Sequence, residues 1–195
     1  MANDILRSIK GKSLGLGPKG ELLIDKGYGT KIVPILAYNM AAAGTALTNS
    51  TSETALGSYT IPANTLQPGS LIQVRFGGIA TATNSTDTLA VKLYIGGLSG
   101  TALISIPATD VADNNVFTGE YEIAVRTIGS TGTIVGQGTF KSVPAAEGTM
   151  TIKDDILAST TLDTTAAQDI TVSGTWSAQS SSDSCRLDFL RVIIA

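Results

Sequence analysis

The 195-residue sequence predicts an all-β fold, an antiparallel sandwich, from three observations. Apolar and polar residues alternate with a period of two over several stretches, the pattern of a strand with one face toward a core. Threonine occurs 26 times, twice the 13 lysines and arginines together, and β-branched side chains suit an exposed pleated surface. Clusters of Gly, Pro, Asn and Asp interrupt the text at strand-length intervals, and hardly any 3.6-residue period appears.

Residues 1–45 read as an extended arm and connector, and residues 46–195 as the sandwich. Gly recurs at 11, 15, 17, 20, 27 and 29, with Pro18 between, so no continuous helix is expected beyond Asp4–Ile9. Glu21–Asp25 is one apolar run that reads as an isolated strand without an evident partner in the arm. From Ala41 to Thr54 the chain is small and polar, a connector.

Eight strands follow, near 53–61, 70–82, 87–96, 101–106, 116–129, 132–143, 168–177 and 184–194. Leu89, Val91, Leu93 and Ile95 alternate with Thr88, Ala90, Lys92 and Tyr94; Tyr121, Ile123 and Val125 alternate with Glu122, Ala124 and Arg126. Ile170, Val172 and Trp176 share a face, which assigns the single tryptophan to the core. Met150–Leu162 adds either a strand or a short helical turn. Eight antiparallel strands in two packed sheets make a sandwich of jelly-roll type, with an immunoglobulin-like sandwich as its competitor.

The last strand carries an anomaly. Cys185, Leu187 and Phe189 alternate inward, but Leu190, Val192, Ile193 and Ile194 make both faces apolar. Either a bulge shifts the phase or a subunit interface covers this end. Leu190, Val192, Ile193 and Ile194 are therefore the expected subunit contact.

Charged residues are only 15% of the chain against about 25% in ordinary soluble proteins, and the net charge is −3. That balance argues against a general nucleic-acid binder, which needs clustered cations. The charge is uneven: residues 1–33 hold six basic and three acidic groups, and the remainder seven basic and thirteen acidic. A basic arm is joined to an acidic body. The longest apolar runs fall far short of the roughly 20 residues of a membrane-spanning helix, and no secretory leader pattern opens the sequence. No membrane partner is expected, and one cysteine permits no intrachain disulfide, which fits synthesis in a reducing cytoplasm.

Histidine is absent, which removes the usual general base, the usual zinc ligand and every Ser-His or Cys-His dyad. Gly15-Leu-Gly-Pro-Lys-Gly20 matches the dinucleotide fingerprint in letters, but a strand follows where a helix is required. Gly11-Lys12-Ser13 lacks the glycine a phosphate loop places five positions earlier. Carboxylate pairs remain: Glu120 with Glu122 on one strand face, and Asp110 with Asp113 or Asp154 with Asp155 as oxygen donors for calcium. Each reads more simply as solvated strand or turn chemistry, so no enzymatic activity and no cofactor are expected. Asn49 and Asn84 open N-x-S/T strings that read as turns.

The arm Ser8-Ile-Lys-Gly-Lys-Ser-Leu-Gly-Leu-Gly-Pro-Lys-Gly-Glu-Leu-Leu-Ile24, with the body segments 57–70 and 84–97, resembles structural proteins of tailed bacteriophages. It is most similar in texture to jelly-roll decoration, or cement, proteins. That resemblance implies a structural protein on the outer surface of a virion, made in the host bacterial cytoplasm. It would bind the major capsid protein as a homotrimer and bridge capsid subunits. The arm would supply the contact through Arg7, Lys10, Lys12 and Lys19, with strand pairing through Leu22, Leu23 and Ile24. A head-fibre or tail-fibre domain binding host-surface carbohydrate is the alternative, and it needs exposed aromatic rings.

Overall fold

The computed structural model describes residues 14–16, 22–25, 30–32, 35–82, 86–105, 109–111, 114–143 and 150–195. Near the N-terminus β1 (Leu14–Leu16), β2 (Leu22–Asp25) and β3 (Thr30–Ile32) form a small antiparallel sheet with β2 in the middle. The expected isolated strand thus has a partner on each edge, Leu23 lying opposite Gly15 and Ile32. Leu23 and Ile24 are thus paired on both sides within this small sheet, and Leu22 on the β1 side.

Twelve further strands build an all-β antiparallel sandwich. They are β4 (Ile35–Asn39), β5 (Leu47–Thr48), β6 (Thr54–Ile61), β7 (Leu71–Thr81), β8 (Thr88–Ile95), β9 (Thr101–Ser105), β10 (Thr109–Asp110), β11 (Asn115–Thr127), β12 (Gly132–Val143), β13 (Thr151–Leu162), β14 (Gln168–Trp176) and β15 (Ser184–Ile194). One sheet runs β6-β14-β8-β10, with β9 also on β8; the other runs β13-β12-β11-β7-β15-β4, with β5 also on β15. All eight strands read from periodicity are present within about two residues, and 150–162 resolves as strand β13.

The pairings nest. β4 pairs with β15, β6 with β14, β7 with β11, and β8 with β9 and β10. These are the rungs of one long hairpin folded over on itself, with β12 and β13 added to one sheet as a further hairpin. β4 lies in the stretch read as arm and connector, yet it is hydrogen-bonded to the last strand of the sandwich.

Between the sheets lies a dry core. Along β11 every second residue from Phe117 to Val125 is buried, as the alternation requires. Phe117 and Phe76 pack on Phe140 with ring centroids 6.1 and 6.3 Å apart. Trp176 is 1% exposed, so it is a core residue and no sugar platform. Cys185 is fully buried, and burial pushes its thiol up to about 12, an inert group as expected. Tyr38 on β4 stacks on Tyr59 of β6 at 5.2 Å, closing the sandwich where the first strands of the two sheets meet.

The phase conflict in the last strand is a bulge. The register of β15 against β7 slips between Leu187 and Phe189, so Asp188 is the extra residue. Phe189 turns outward at 42% exposure, while Leu190 and Val192 turn inward and are fully buried in this chain's own core. The inward direction expected for Phe189 is corrected by that slip. Leu190 and Val192 are likewise not a subunit contact, because the facing sheet already covers them; Ile194 packs on the same core and Ile193 is half-buried. Gly77 and Gly78 on β7 make the bulge feasible: a Cβ on Gly78 would lie 2.0 Å from the Arg186 carbonyl oxygen, and one on Gly77 would lie 2.5 Å from the Phe189 ring.

Candidate functional site

The outer face of the larger sheet carries most of the exposed large apolar side chains among the described residues. Strand alternation sends Val116, Thr118, Glu120 and Glu122 of β11 outward, and the register then aligns them with neighbours in transverse rows. One row crosses six strands: Asp154, Thr139, Glu120, Arg75, Arg191 and Asn39. The next row holds Ile156, Gln137, Glu122, Gln73 and Ile193. All of these but Asn39 floor an open groove of 850 Å³.

Cross-strand pairs hold the groove's side chains in place. Arg75 donates from Nε and Nη2 to Glu120 Oε2 at 3.0 and 2.7 Å, Gln73 Nε2 donates to Glu122 Oε1 at 2.9 Å, and Thr139 Oγ1 donates to Asp154 Oδ1 at 2.6 Å. Arg75 and Glu120 are each more than half exposed, so solvent and salt limit their ion pair to about 0–1 kcal/mol. Its role is orientation rather than stability. Carboxylates stand toward β13 and guanidinium groups toward β15, which grades the groove from acidic to basic.

Beyond the polar rows the same face becomes apolar. The row Ile152, Lys141, Thr118, Gly77, Phe189 is followed by Val143, Val116 and Ile79. Of the eight large apolar residues exposed among the described residues, Val116, Val143, Ile152, Ile156 and Phe189 stand on this one face, and Met150 immediately precedes β13. An apolar patch beside a polar groove on one sheet face has the anatomy of a contact surface between proteins.

The carboxylate pairs behave differently from one another. Glu120 and Glu122 do share a face, each engaged in a cross-strand pair. Asp154 and Asp155 cannot share an ion, because consecutive strand residues point to opposite faces: Asp154 meets Thr139 outside, while Asp155 is half-buried 3.9 Å from Lys153. Asp110 is on β10, and Asp113 lies outside the described residues, as do Arg7, Lys10, Lys12 and Lys19. Among the described residues no cluster of three or more His, Cys, Asp or Glu side chains is arranged to hold a metal.

A second polar group sits on the outer side of the smaller sheet. Glu53 accepts from Ser173 Oγ at 2.7 Å and Tyr94 Oη at 3.0 Å, with Lys92 Nζ at 3.4 Å. Burial would raise the Glu53 carboxyl, but these donors outweigh it and hold the group below the usual carboxylate range. The cluster is satisfied internally and ties the segment before β6 onto β8 and β14. Alternation alone sends Glu120 and Glu122 outward, whereas the placement of Arg75, Gln73, Arg191 and Thr139 beside them depends on cross-strand register, which the sequence does not show.

No protein-family model and no curated protein matches the chain. Among solved structures it is similar to the CBM2 module of the evolved Dit of Lactobacillus casei BL23 phage J-1, at 13% identity, 78% of this chain, 74% of that chain and a TM-score of 0.37. It is similar also to the VP2 subviral particle of infectious bursal disease virus, at 14% identity, 98% of this chain, 38% of that chain and a TM-score of 0.37. The Gx strain of the same virus gives 13% identity, 93% of this chain, 40% of that chain and a TM-score of 0.37. The chain spans less than half the length of the two bursal disease virus chains. Likenesses this distant carry no argument about function, which rests on the residues themselves.

Proposed function

We propose that the protein is a structural component of a virion that works by surface contact, binding the outside of a phage capsid and bridging its subunits. The observation that carries the proposal is the concentration of exposed apolar side chains beside an ordered polar groove on one sheet face. The nested strand pairing supports the jelly-roll reading of the sandwich. The docking partner is a protein surface on the capsid shell, and the contact is the face around Val116, Ile152 and Phe189. The basic arm adds charge attraction in the region of Arg7 to Lys19, sensitive to salt.

Two variants separate the contributions. Val116→Glu with Ile152→Glu places charge where desolvation is needed, at positions more than half exposed in the free protein, so the fold is expected to persist. Binding to purified shells is expected to fall about 30-fold or more, the scale of a lost hot spot of about 2 kcal/mol. Deletion of residues 1–33 is expected to remove the salt-dependent part of binding and leave the salt-independent part. Unchanged coating of shells by the double variant would defeat the sheet-face contact.

We also propose a homotrimer, since several weak contacts on one particle act at high effective concentration. Leu190 and Val192 no longer argue for it; the exposed apolar surface and the low charge do. Mass photometry at micromolar concentration is expected to give about three times the chain mass of 20.0 kDa, and a lone 20.0 kDa species would reject it. The carbohydrate-binding alternative requires exposed rings, and the described aromatic side chains offer Phe189 as the one large exposed ring.

A further inference from the structure

Two aspartates meet where β8 and β15 begin. Asp87 immediately precedes β8 and is 4% exposed; Asp183 immediately precedes β15 and is fully buried. The loop between β14 and β15 is folded onto the start of β8: Thr88 N donates to Ser177 Oγ, and Ser177 N donates to the Thr88 carbonyl, both at 2.9 Å. Asp183 N donates to the Ser180 carbonyl at 3.2 Å, and Val111 N donates to the Asp87 carbonyl at 3.3 Å. The pair is thus held by backbone from three segments.

The chemistry of Asp183 is incomplete. Neither carboxylate oxygen of Asp183 completes a hydrogen bond with a protein donor, although the residue has no exposure to water. Its neighbouring hydroxyl, Ser180 Oγ, is engaged by Ser182 Oγ at 2.7 Å. Burial first, and the facing Asp87 carboxyl second, push the Asp183 carboxyl above the usual carboxylate range, against a pull from Ser180. Burying an uncompensated carboxylate costs several kcal/mol, so a partner is required. A proton shared between the two carboxyls makes one hydrogen bond and leaves oxygens of Asp183 dry.

We propose that Asp87 and Asp183 together bind a calcium ion at this end of the sandwich. The donor set the structure supplies is oxygen only: two carboxylates and the Ser180 hydroxyl. Hard cations take such sets, calcium tolerates their irregular geometry, and soft metals prefer the nitrogen and sulfur donors this site lacks. Two carboxylates place the affinity at about 10⁻⁴–10⁻³ M, the range of extracellular modules. The ion clamps the loop before β15 onto the entry to β8, joining the two sheets at a point where no disulfide can.

Thermal unfolding of the full chain at neutral pH in chelator, then with calcium chloride raised to 10 mM, tests this. The expected result is a saturable rise in Tm of several degrees with calcium, absent in Asp183→Asn. The variant in chelator is expected to melt at or above the wild type in chelator, since a buried charge has been removed. No calcium response in the wild type overturns the proposal, as does an equal rise with magnesium. A rise in Tm on acidification without any calcium response overturns it too, and assigns the pair to a shared proton. Should Asp183→Asn fail to fold, the wild-type titration decides alone.

Discussion

Replacing Gly78 by valine is expected to abolish folding at 37 °C. A Cβ there would stand 2.0 Å from the Arg186 carbonyl oxygen and 2.7 Å from the Phe117 ring, both below van der Waals contact. The first obstacle is backbone of the adjacent strand, held by the β7–β15 ladder on one side and by β4 and β5 on the other. Overpacking a well-filled core costs about 1–3 kcal/mol where side chains can adjust, and more where backbone must move. Against a total stability of about 5–15 kcal/mol, that loss leaves little native protein at 37 °C. The neighbouring glycine is a built-in comparison, because the first obstacle to a Cβ at Gly77 is the exposed Phe189 ring, which can swing into solvent. Gly77→Ala is expected to cost about 1 kcal/mol. Soluble yield and urea midpoints by circular dichroism check both, and a Gly78→Val protein with an unchanged midpoint would contradict the close approach of β7 and β15.

Trp176→Ala carries the second large effect. The indole is the largest fully buried side chain, and emptying its site is expected to cost about 3–5 kcal/mol. Trp176→Phe is expected to cost less than half as much. It keeps most of the ring volume and removes an indole N–H that is buried without a partner, a group whose desolvation costs about 1–3 kcal/mol. Equal losses from the two substitutions would mean that the N–H has a partner after all. An alanine variant within 1 kcal/mol of wild type would mean that the ring is not in the core.

Strands were legible where one face is core and the other water. β11 is the clearest, since its buried and exposed residues alternate without exception from Asn115 to Val125, counting the half-buried Ala124 as outward. β13 was ambiguous for a physical reason: Lys153 and Asp155 lie on its inner side at the sheet edge, where Lys153 Nζ reaches the Ser105 carbonyl of β9. Charge on both faces erased the alternation, and inward charges of this kind also discourage edge-to-edge pairing. β4 is five residues after a proline, too short to declare itself except through its partner β15.

The candidate face was half legible. Glu120 and Glu122 were visible from alternation, but their neighbours follow from register, and register turns on a bulge. Thr127 lies opposite Thr133; continued without interruption, that pairing would set Glu120 against the core residue Phe140. The slip at Arg126 moves Glu120 opposite Thr139 and keeps charge on the outer face. Asp87 stands at the edge of the strand read at 87–96 and Asp183 just before the strand read at 184–194, and nothing in a sequence shows two distant aspartates facing each other.

The nested pairing also bears on how the chain is made. β15 sits inside its sheet between β7 and β4, so the strand that joins the earliest part of the sandwich to its middle is the last to be synthesised. At about 5–20 residues per second, β4 and β7 wait for roughly 6 to 30 seconds with open edges while the chain through β15 is made. Contacts of such long sequence separation also fold slowly once the chain is complete. A nascent protein of this design is expected to depend on chaperone cover during translation, and chains terminated before residue 184 are expected in the aggregated fraction.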